Sequence, residues 1–263
     1  MASNGSSALD RNRLVSQNGL ALERDVAEGI HRIEDAFTNW YLVEDEGGIT
    51  IVDAGVPSSW SSLERALKAI GRGAGEVRAL VLTHAHFDHI GFAERARQTL
   101  GIEVWVHEND APLARHPRRY SHEDFRIPYF LTQFQALPIV AALLRSRAFW
   151  PQPVREVRRF SDGVLPVPGA PRVVFTPGHT LGHCALHFPD RDAVIAGDAL
   201  VMLDPYTAEP GPKIVVGAAT ADSHRNRESL GALGATQSAT VLTGHGAPWR
   251  EGSAAAVSAA LDL

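Results

Sequence analysis

The sequence predicts an α/β protein folded as a four-layer αβ/βα sandwich, two mixed β-sheets with helices on their outer faces. Three observations carry this. Short apolar runs of strand length recur along the 263 residues, they fall into an early and a late group, and amphipathic helical stretches stand between them. With 44% hydrophobic residues, a chain of this size buries a substantial core, and a single domain of this length is ordinary.

The first 19 residues contain Ser, Asn and Gly but no apolar stretch. They read as a loose, flexible tail and not as a signal peptide, so the domain is expected to run from 20 to 263. Paired strands are expected near 39–44 and 48–53, and an amphipathic helix over 57–70. An apolar, branched run at 76–82 reads as a strand, 90–100 as a helix and 102–107 as a further strand. After a long irregular segment, strands are expected near 172–175, 184–188 and 193–196. A helix over 222–237, a strand at 239–242 and a terminal helix over 254–261 complete the pattern.

The most informative stretch joins the strand at 76–82 to the helix at 90–100. It reads Thr83-His84-Ala85-His86-Phe87-Asp88-His89, placing four potential metal ligands in six positions. With 12 His and 15 Asp in the chain, chance produces this pattern roughly once in a thousand such chains, so it is signal. On a strand-to-helix loop, His84 and His86 can converge on one ion while Asp88 and His89 turn toward a second point. Imidazole and carboxylate together favour zinc, iron or manganese over calcium. Four ligands cannot close two metal shells. Further donors are expected where other strands stop beside a glycine, at Gly178-His179, Gly197-Asp198 and Gly244-His245-Gly246, because a residue without a side chain lets its neighbour reach inward.

These motifs, together with the strand and turn ending Asp53-Ala54-Gly55, resemble the metallo-β-lactamase superfamily of hydrolases in the right order over most of the chain. The resemblance implies that His84, His86 and His179 hold one metal, that Asp88, His89 and His245 hold a second, and that Asp198 bridges them. The implied cofactor is a pair of divalent ions, zinc first, with iron or manganese compatible with the same donors. The implied reaction is hydrolysis of an ester, thioester or lactone of a small organic molecule by a hydroxide that the two cations share. Asp88, a ligand keeping a free oxygen near that water, is the candidate for passing a proton to the leaving group. An Asp at 198, where zinc β-lactamases with a thiolate ligand have Cys, resembles the glyoxalase II and lactonase side of the superfamily. Val201 departs from the quorum-quenching lactonases, which commonly place a Tyr there. An alternative on the same ligands is a single-iron sulfur dioxygenase, disfavoured by the presence of both His89 and His245.

The net charge of −5 offers no basic face to a nucleic-acid backbone, and no stretch approaches the roughly eighteen apolar residues of a membrane span. The lone cysteine, Cys184, allows no intrachain disulfide, which agrees with a reducing, cytoplasmic setting. The segment near 110–160 is too long for a simple connection and is expected to be a helical insert. In it, Arg115-His116-Pro117-Arg118-Arg119-Tyr120 precedes a strongly apolar run over 128–144. An apolar helix pair beside a metal site would wall a pocket for a hydrophobic small molecule, with Phe130 and Phe134 contributing bulk; the same surface equally fits a homodimer contact. His183 is expected to begin a strand more than to support a ligand, and Asp53 fits either a turn or a ligand's partner. Cys184 reads as a small buried hydrophobe. His31, His107, His116, His122, His187 and His224 lack motif context and are expected in core or solvent roles.

Overall fold

Alternation of period two along the strands decides which residues face which layer. In the computed structural model, which describes residues 20–262 except the side chains of Phe130 and Leu131, β1 (Ala21–Ala27), β2 (Ile30–Asp35), β3 (Thr38–Asp45) and β4 (Gly48–Val52) form an antiparallel meander. The expected tail at 1–19 lies outside the described residues. From β4 the chain continues by α1 (Trp60–Ala69) to β5 (Val77–Val81) and by α2 (Ala93–Leu100) to β6 (Glu103–His107). The helices α3 (Ala111–Arg115), α4 (Arg126–Thr132) and α5 (Leu137–Arg145) then precede β7 (Arg158–Phe160). From β4 to β7 the pairing is parallel, and the seven strands lie side by side in chain order.

A second sheet takes β8 (Arg172–Phe175), β9 (Cys184–Phe188) and β10 (Ala193–Gly197). A small antiparallel ribbon follows, of β11 (Val201–Leu203) and β12 (Pro210–Lys213). Then come α6 (Ser223–Gly234), β13 (Thr240–Thr243) and α7 (Ser253–Leu261), with β13 parallel to β10 in the order β13-β10-β9-β8.

The four layers follow from which face each residue takes. Leu42, Ile51, Leu80 and Val104 pack on Leu63 and Leu67 of α1 and Ala96 of α2. Their sequence neighbours Tyr41, Val52, Val81 and Trp105 point the other way, against Leu186, Phe188, Ile195 and Leu242 of the second sheet. On that sheet's far face, Val194, Ala196 and Val241 meet Leu230 and Leu233 of α6 and Ala256 and Val257 of α7. Each large side chain buried this way stabilises by roughly 1.5–3 kcal/mol, so an out-of-register strand would expose several at once.

The structure departs from the expectations in four places. Two extra strands, β1 and β2, precede the first expected one. In β2 the buried His31 and Arg32 interrupt the apolar pattern, and they are accommodated by Glu44 at 3.1 Å from His31 and by Asn39 and Glu34 at 3.0 and 2.6 Å from Arg32. The insert ends sooner than 160, because β7 pairs with β6 and belongs to the sheet. β11 and β12 were not foreseen either. Finally, α2 begins at Ala93 and not at 90. The intervening turn is closed by His86 O, which accepts from the backbone N–H groups of His89 and Ile90, both at 3.1 Å, and Gly91 lies where any Cβ would overlap the backbone of Val56.

Candidate metal centre

Four loops, each leaving the end of a strand, deliver the seven expected ligands to one place. The loop after β5 carries His84, His86, Asp88 and His89; those after β8, β10 and β13 carry His179, Asp198 and His245. All seven are buried. The donor atoms of His84, His86 and His179 lie within 4.8 Å of one another, and so do those of Asp88, His89 and His245. Asp198 stands between the two groups. Its Oδ2 is 4.0 Å from His84 Nε2 and 3.5 Å from His179 Nε2 on one side, and 3.5 Å from His89 Nε2 and 3.2 Å from His245 Nε2 on the other.

The donor set fits transition-metal ions. His84 Nε2, His86 Nε2, His179 Nε2 and Asp198 Oδ1 are buried without a hydrogen-bond partner among the described residues. Leaving each such atom unpaired costs about 1–3 kcal/mol, and a cation at the point the three imidazoles share removes that cost for them. Imidazole nitrogens with carboxylate oxygens are the donors that zinc, iron and manganese take.

Hydrogen bonds behind the ligands fix which ring nitrogen is free. His245 Nδ1 donates to the Phe37 carbonyl at 2.7 Å. His179 Nδ1 donates to Thr220 Oγ1 at 3.3 Å, which passes its own proton to the Val215 carbonyl at 2.8 Å. His84 Nδ1 donates to Thr83 Oγ1 at 3.1 Å, which in turn donates to Asp53 Oδ2 at 2.8 Å. With Nδ1 carrying the proton, Nε2 of each ring offers its lone pair to the shared point. Asp53 also accepts from the Thr83 N–H at 2.8 Å and lies 3.3 Å from His89 Nδ1. Of its two expected roles, the structure shows the ligand's partner.

His183 stands just before β9 and does more than lead into it. Its Nε2 accepts from the backbone N–H groups of Asp198 and Ala199 at 2.9 and 3.1 Å, and its Nδ1 contacts Thr176 Oγ1 at 2.9 Å. Burial holds its pKa down at about 3, so the ring stays neutral and can accept. Two further residues escaped the sequence reading. Asp110 accepts from the Ala85 N–H at 3.0 Å, Thr180 Oγ1 at 2.7 Å and the Gly182 N–H at 2.8 Å, joining the first ligand loop to the second. Asn226 accepts from the His179 N–H at 3.0 Å and donates to the Ala199 carbonyl at 2.8 Å, joining the second to the third. No local motif marks either residue; Asp110 at the end of a strand was the only available hint.

Charge in the site is arranged for a cation. Burial, followed by neighbouring imidazoles, holds His84 and His86 well below the ordinary histidine range, and burial brings His179 to about 4. For His89 and His245 burial is the largest effect and lowers the pKa, but the carboxylates of Asp198 and Asp88 together turn the net direction upward. Asp198 is held well below the carboxylate range, burial being overcome by His245 and His89. The carboxylate is therefore ionised among rings that share at most a few protons.

An apolar pocket rises from these donors. Its lining includes Asp88, Asp198 and His245 from the donor group, Tyr120 and Tyr206, and Leu137, Val140 and Leu143 of α5 with Phe149. The insert therefore covers the site, as the pocket reading of 110–160 expected. Its lining residues differ from those expected: Phe134 is 68% exposed and outside the pocket, and the Phe130 side chain is outside the described residues. Cys184 is fully buried, as foreseen.

Comparison with known proteins agrees with this geometry. The sequence signature of the metallo-beta-lactamase superfamily matches residues 33–245, and the chain belongs to that superfamily. It is a metal-dependent hydrolase by family. It is 26% identical over 239 residues to the probable metallo-hydrolase YflN of Bacillus subtilis, covering 85% of this chain and 86% of that protein. It is 28% identical over 158 residues to the hydroxyacylglutathione hydrolase GloC of Haemophilus influenzae, covering 60% of this chain and 63% of that protein. Among solved structures, a metallo-beta-lactamase family protein of Thermus thermophilus superposes with a TM-score of 0.60 at 25% identity, over 86% of this chain and 73% of that one. A metallo-beta-lactamase of Erythrobacter litoralis superposes with a TM-score of 0.64 over 95% and 99% of the two chains; at 18% identity it shows the shared fold. No helix among the described residues is long and apolar enough to cross a membrane.

Proposed function

We propose that the chain, from 20 to 263, is one cytoplasmic domain that hydrolyses an ester, thioester or lactone bond of a small organic substrate with two divalent ions, zinc in first place. The single observation that carries this is Asp198 Oδ2 lying within 4.0 Å of Nε2 atoms from both donor groups. His84, His86 and His179 would hold one ion, Asp88, His89 and His245 the other, and Asp198 both. When bound, such a pair supplies an acidified water and positive charge against the developing oxyanion. The remaining work belongs to the chain.

Asp88 lines the pocket, with Oδ2 at 3.5 Å from His245 Nε2 and 3.9 Å from His89 Nε2. One carboxylate oxygen is left to face the pocket, where it can take a proton and hand it to the leaving group. The tyrosines and α5 exclude bulk water around that transfer. Asp198 in place of a thiolate, and a relative named a hydroxyacylglutathione hydrolase, support thioesters ahead of β-lactams.

Metal analysis combined with turnover of a thioester, a lactone and an aryl ester tests the reading. About two metal ions per chain are expected, and Asp198→Ala should lower both occupancy and turnover, the latter by about a hundredfold or more. One iron per chain, unchanged by zinc supplementation and accompanied by oxygen uptake with a persulfide, would establish the dioxygenase instead. An Asp198→Ala protein that keeps both metals and near-normal turnover would remove the bridging assignment.

A further inference from the structure

Tyr120 divides the approach to the donors into two clefts. One is the apolar pocket under α5. The other is lined by the same His86, His179 and Tyr120, and its wall carries Asn109, Asp110, His116, Arg119 and Ser121, the Asp110 carboxylate being taken up by its three donors. Tyr120 is held in place by Arg126, whose guanidinium lies 4.2 Å from the ring centre and donates to the Ala218 carbonyl at 3.1 Å. The site is thus open to a substrate with two unlike halves.

The second cleft holds positive charge that the protein itself does not use. Arg119 and His116 make no side-chain hydrogen bond or ion pair with any described residue, and neither do Arg115 and Arg118 beside them. In a chain of net charge −5, three arginines in five positions, with Arg119 itself lining the cleft, form a local positive field. A guanidinium presents a fork of N–H donors that matches a carboxylate or phosphate and gives little to an uncharged ester.

Resting on the hydrolase reading above, we propose that the substrate is bipartite: an apolar arm lies against Leu137, Val140 and Leu143, and a carboxylate or phosphate on the other arm lies against Arg119 and His116. The scissile carbonyl then sits between them, beside Tyr120 and over the metal donors. Among the described residues the first pocket's lining carries no Lys or Arg, so the second cleft is the one that offers the charged arm a guanidinium. The run at 115–119, which the hydrolase chemistry leaves unused, becomes the recognition element for that charge.

A set of octanoyl thioesters tests this. One has an uncharged thiol, a second a thiol bearing a carboxylate, a third a thiol bearing a phosphate, and a fourth carries its carboxylate at the far end of the acyl chain. Turnover of the uncharged compound reports thioester hydrolysis by itself; if none of the four is cleaved, thioesters are excluded and the same four-way comparison is made with the corresponding octanoyl aryl esters, where the outcomes below are read in the same way. At least one anionic compound should exceed the uncharged one about tenfold in kcat/KM, and which one wins says which half carries the charge. Arg119→Ala should cut that preference about threefold to tenfold through KM, Arg119→Lys should restore part of it, and added salt should erode it. Arg145→Ala, on α5 but outside both clefts, should keep it. A wild-type enzyme with no preference for any anionic compound, or a preference that survives in the Arg119→Ala, His116→Ala double variant, would overturn the proposal.

Discussion

Asp110→Asn should damage the metal site without touching a ligand. The carboxylate is buried and receives three donors, two on Oδ2 (the Ala85 N–H and Thr180 Oγ1) and one on Oδ1 (the Gly182 N–H). An amide of the same shape has a single acceptor oxygen. Placed where Oδ2 was, it keeps two of the bonds and sets its NH2 against the Gly182 N–H, two donors facing each other. One buried donor left unsatisfied costs about 1–3 kcal/mol, which for a protein of this size lowers Tm by roughly 2–4 °C per kcal/mol. Asp110→Ala removes all three bonds and should cost about 3–6 kcal/mol on the same scale. Because Ala85 separates His84 from His86, and Thr180 follows His179, relaxation of either loop misaligns the first donor group. Metal affinity should fall about tenfold to a hundredfold, the usual cost of losing a ligand's supporting contact. Thermal unfolding of the metal-free protein and competition against a fluorescent zinc chelator measure the two effects separately. An Asp110→Asn protein with wild-type Tm and wild-type affinity would refute the idea that this carboxylate braces the loops.

Two more outcomes follow from the same neighbourhood. Gly244→Ala should weaken metal binding about tenfold or more, because its Cβ would overlap Asp198 Oδ1 and come within 2.7 Å of His89 Cε1; unchanged affinity in the chelator competition would mean Asp198 has room to move. The pH dependence of stability should carry the signature of His183. Its folded pKa of about 3 lies below its ordinary 6.5, so on acidification the unfolded chain takes the proton first, and the contribution is full above pH 6.5 and lost as pH falls toward 3. At pH 5 the loss is about 2 kcal/mol. Urea unfolding of the metal-free protein should therefore show a shallower pH slope between 7 and 5 in His183→Gln, and equal slopes would show that the ring does not stay neutral.

The seven side chains gathered at the candidate centre were legible as candidates because they are local. Four of them share one loop, and each of the other three stands beside a glycine at a strand end, so spacing and the family resemblance single out the seven that the fold brings together. The braces were not legible. Asp110 meets partners 25, 70 and 72 residues away, and Asn226 meets partners 47 and 27 residues away, distances at which a sequence has no periodicity to offer. The strands with alternating apolar residues were readable almost to the residue, as β8 and β9 show. β2 was hidden by buried His31 and Arg32, whose partners come from β1, β3 and the rest of their own strand. In the insert, apolar content left a pocket wall and an interface equally open and could not say which side chains face inward. Phe134 falls in the short 3-10 turn between α4 and α5, so the helical periodicity that would have oriented it is broken there.

Taken together, the braces form a chain of cross-links running through every ligand loop. Asp110 ties the loop after β5 to that after β8; Asn226 ties the latter to the loop after β10; His183 holds the loop after β10 from below. The last loop is held from the first sheet, where Asn39 Nδ2 donates to the carbonyls of Thr243 and Gly246 at 2.7 and 2.8 Å and Tyr41 Oη donates to Thr243 at 2.6 Å. Both sheets therefore contribute to the position of the donors, and the site forms only when they are packed on each other. Since the folded state alone gathers the ligands, metal binding free energy adds to folding free energy. It does so most strongly here because four of the atoms in the centre, His84 Nε2, His86 Nε2, His179 Nε2 and Asp198 Oδ1, are buried with no hydrogen-bond partner among the described residues. A site of this construction trades some stability in the metal-free state for donors already held in place, which is the arrangement that lets a bound cation act on substrate without first reorganising the protein.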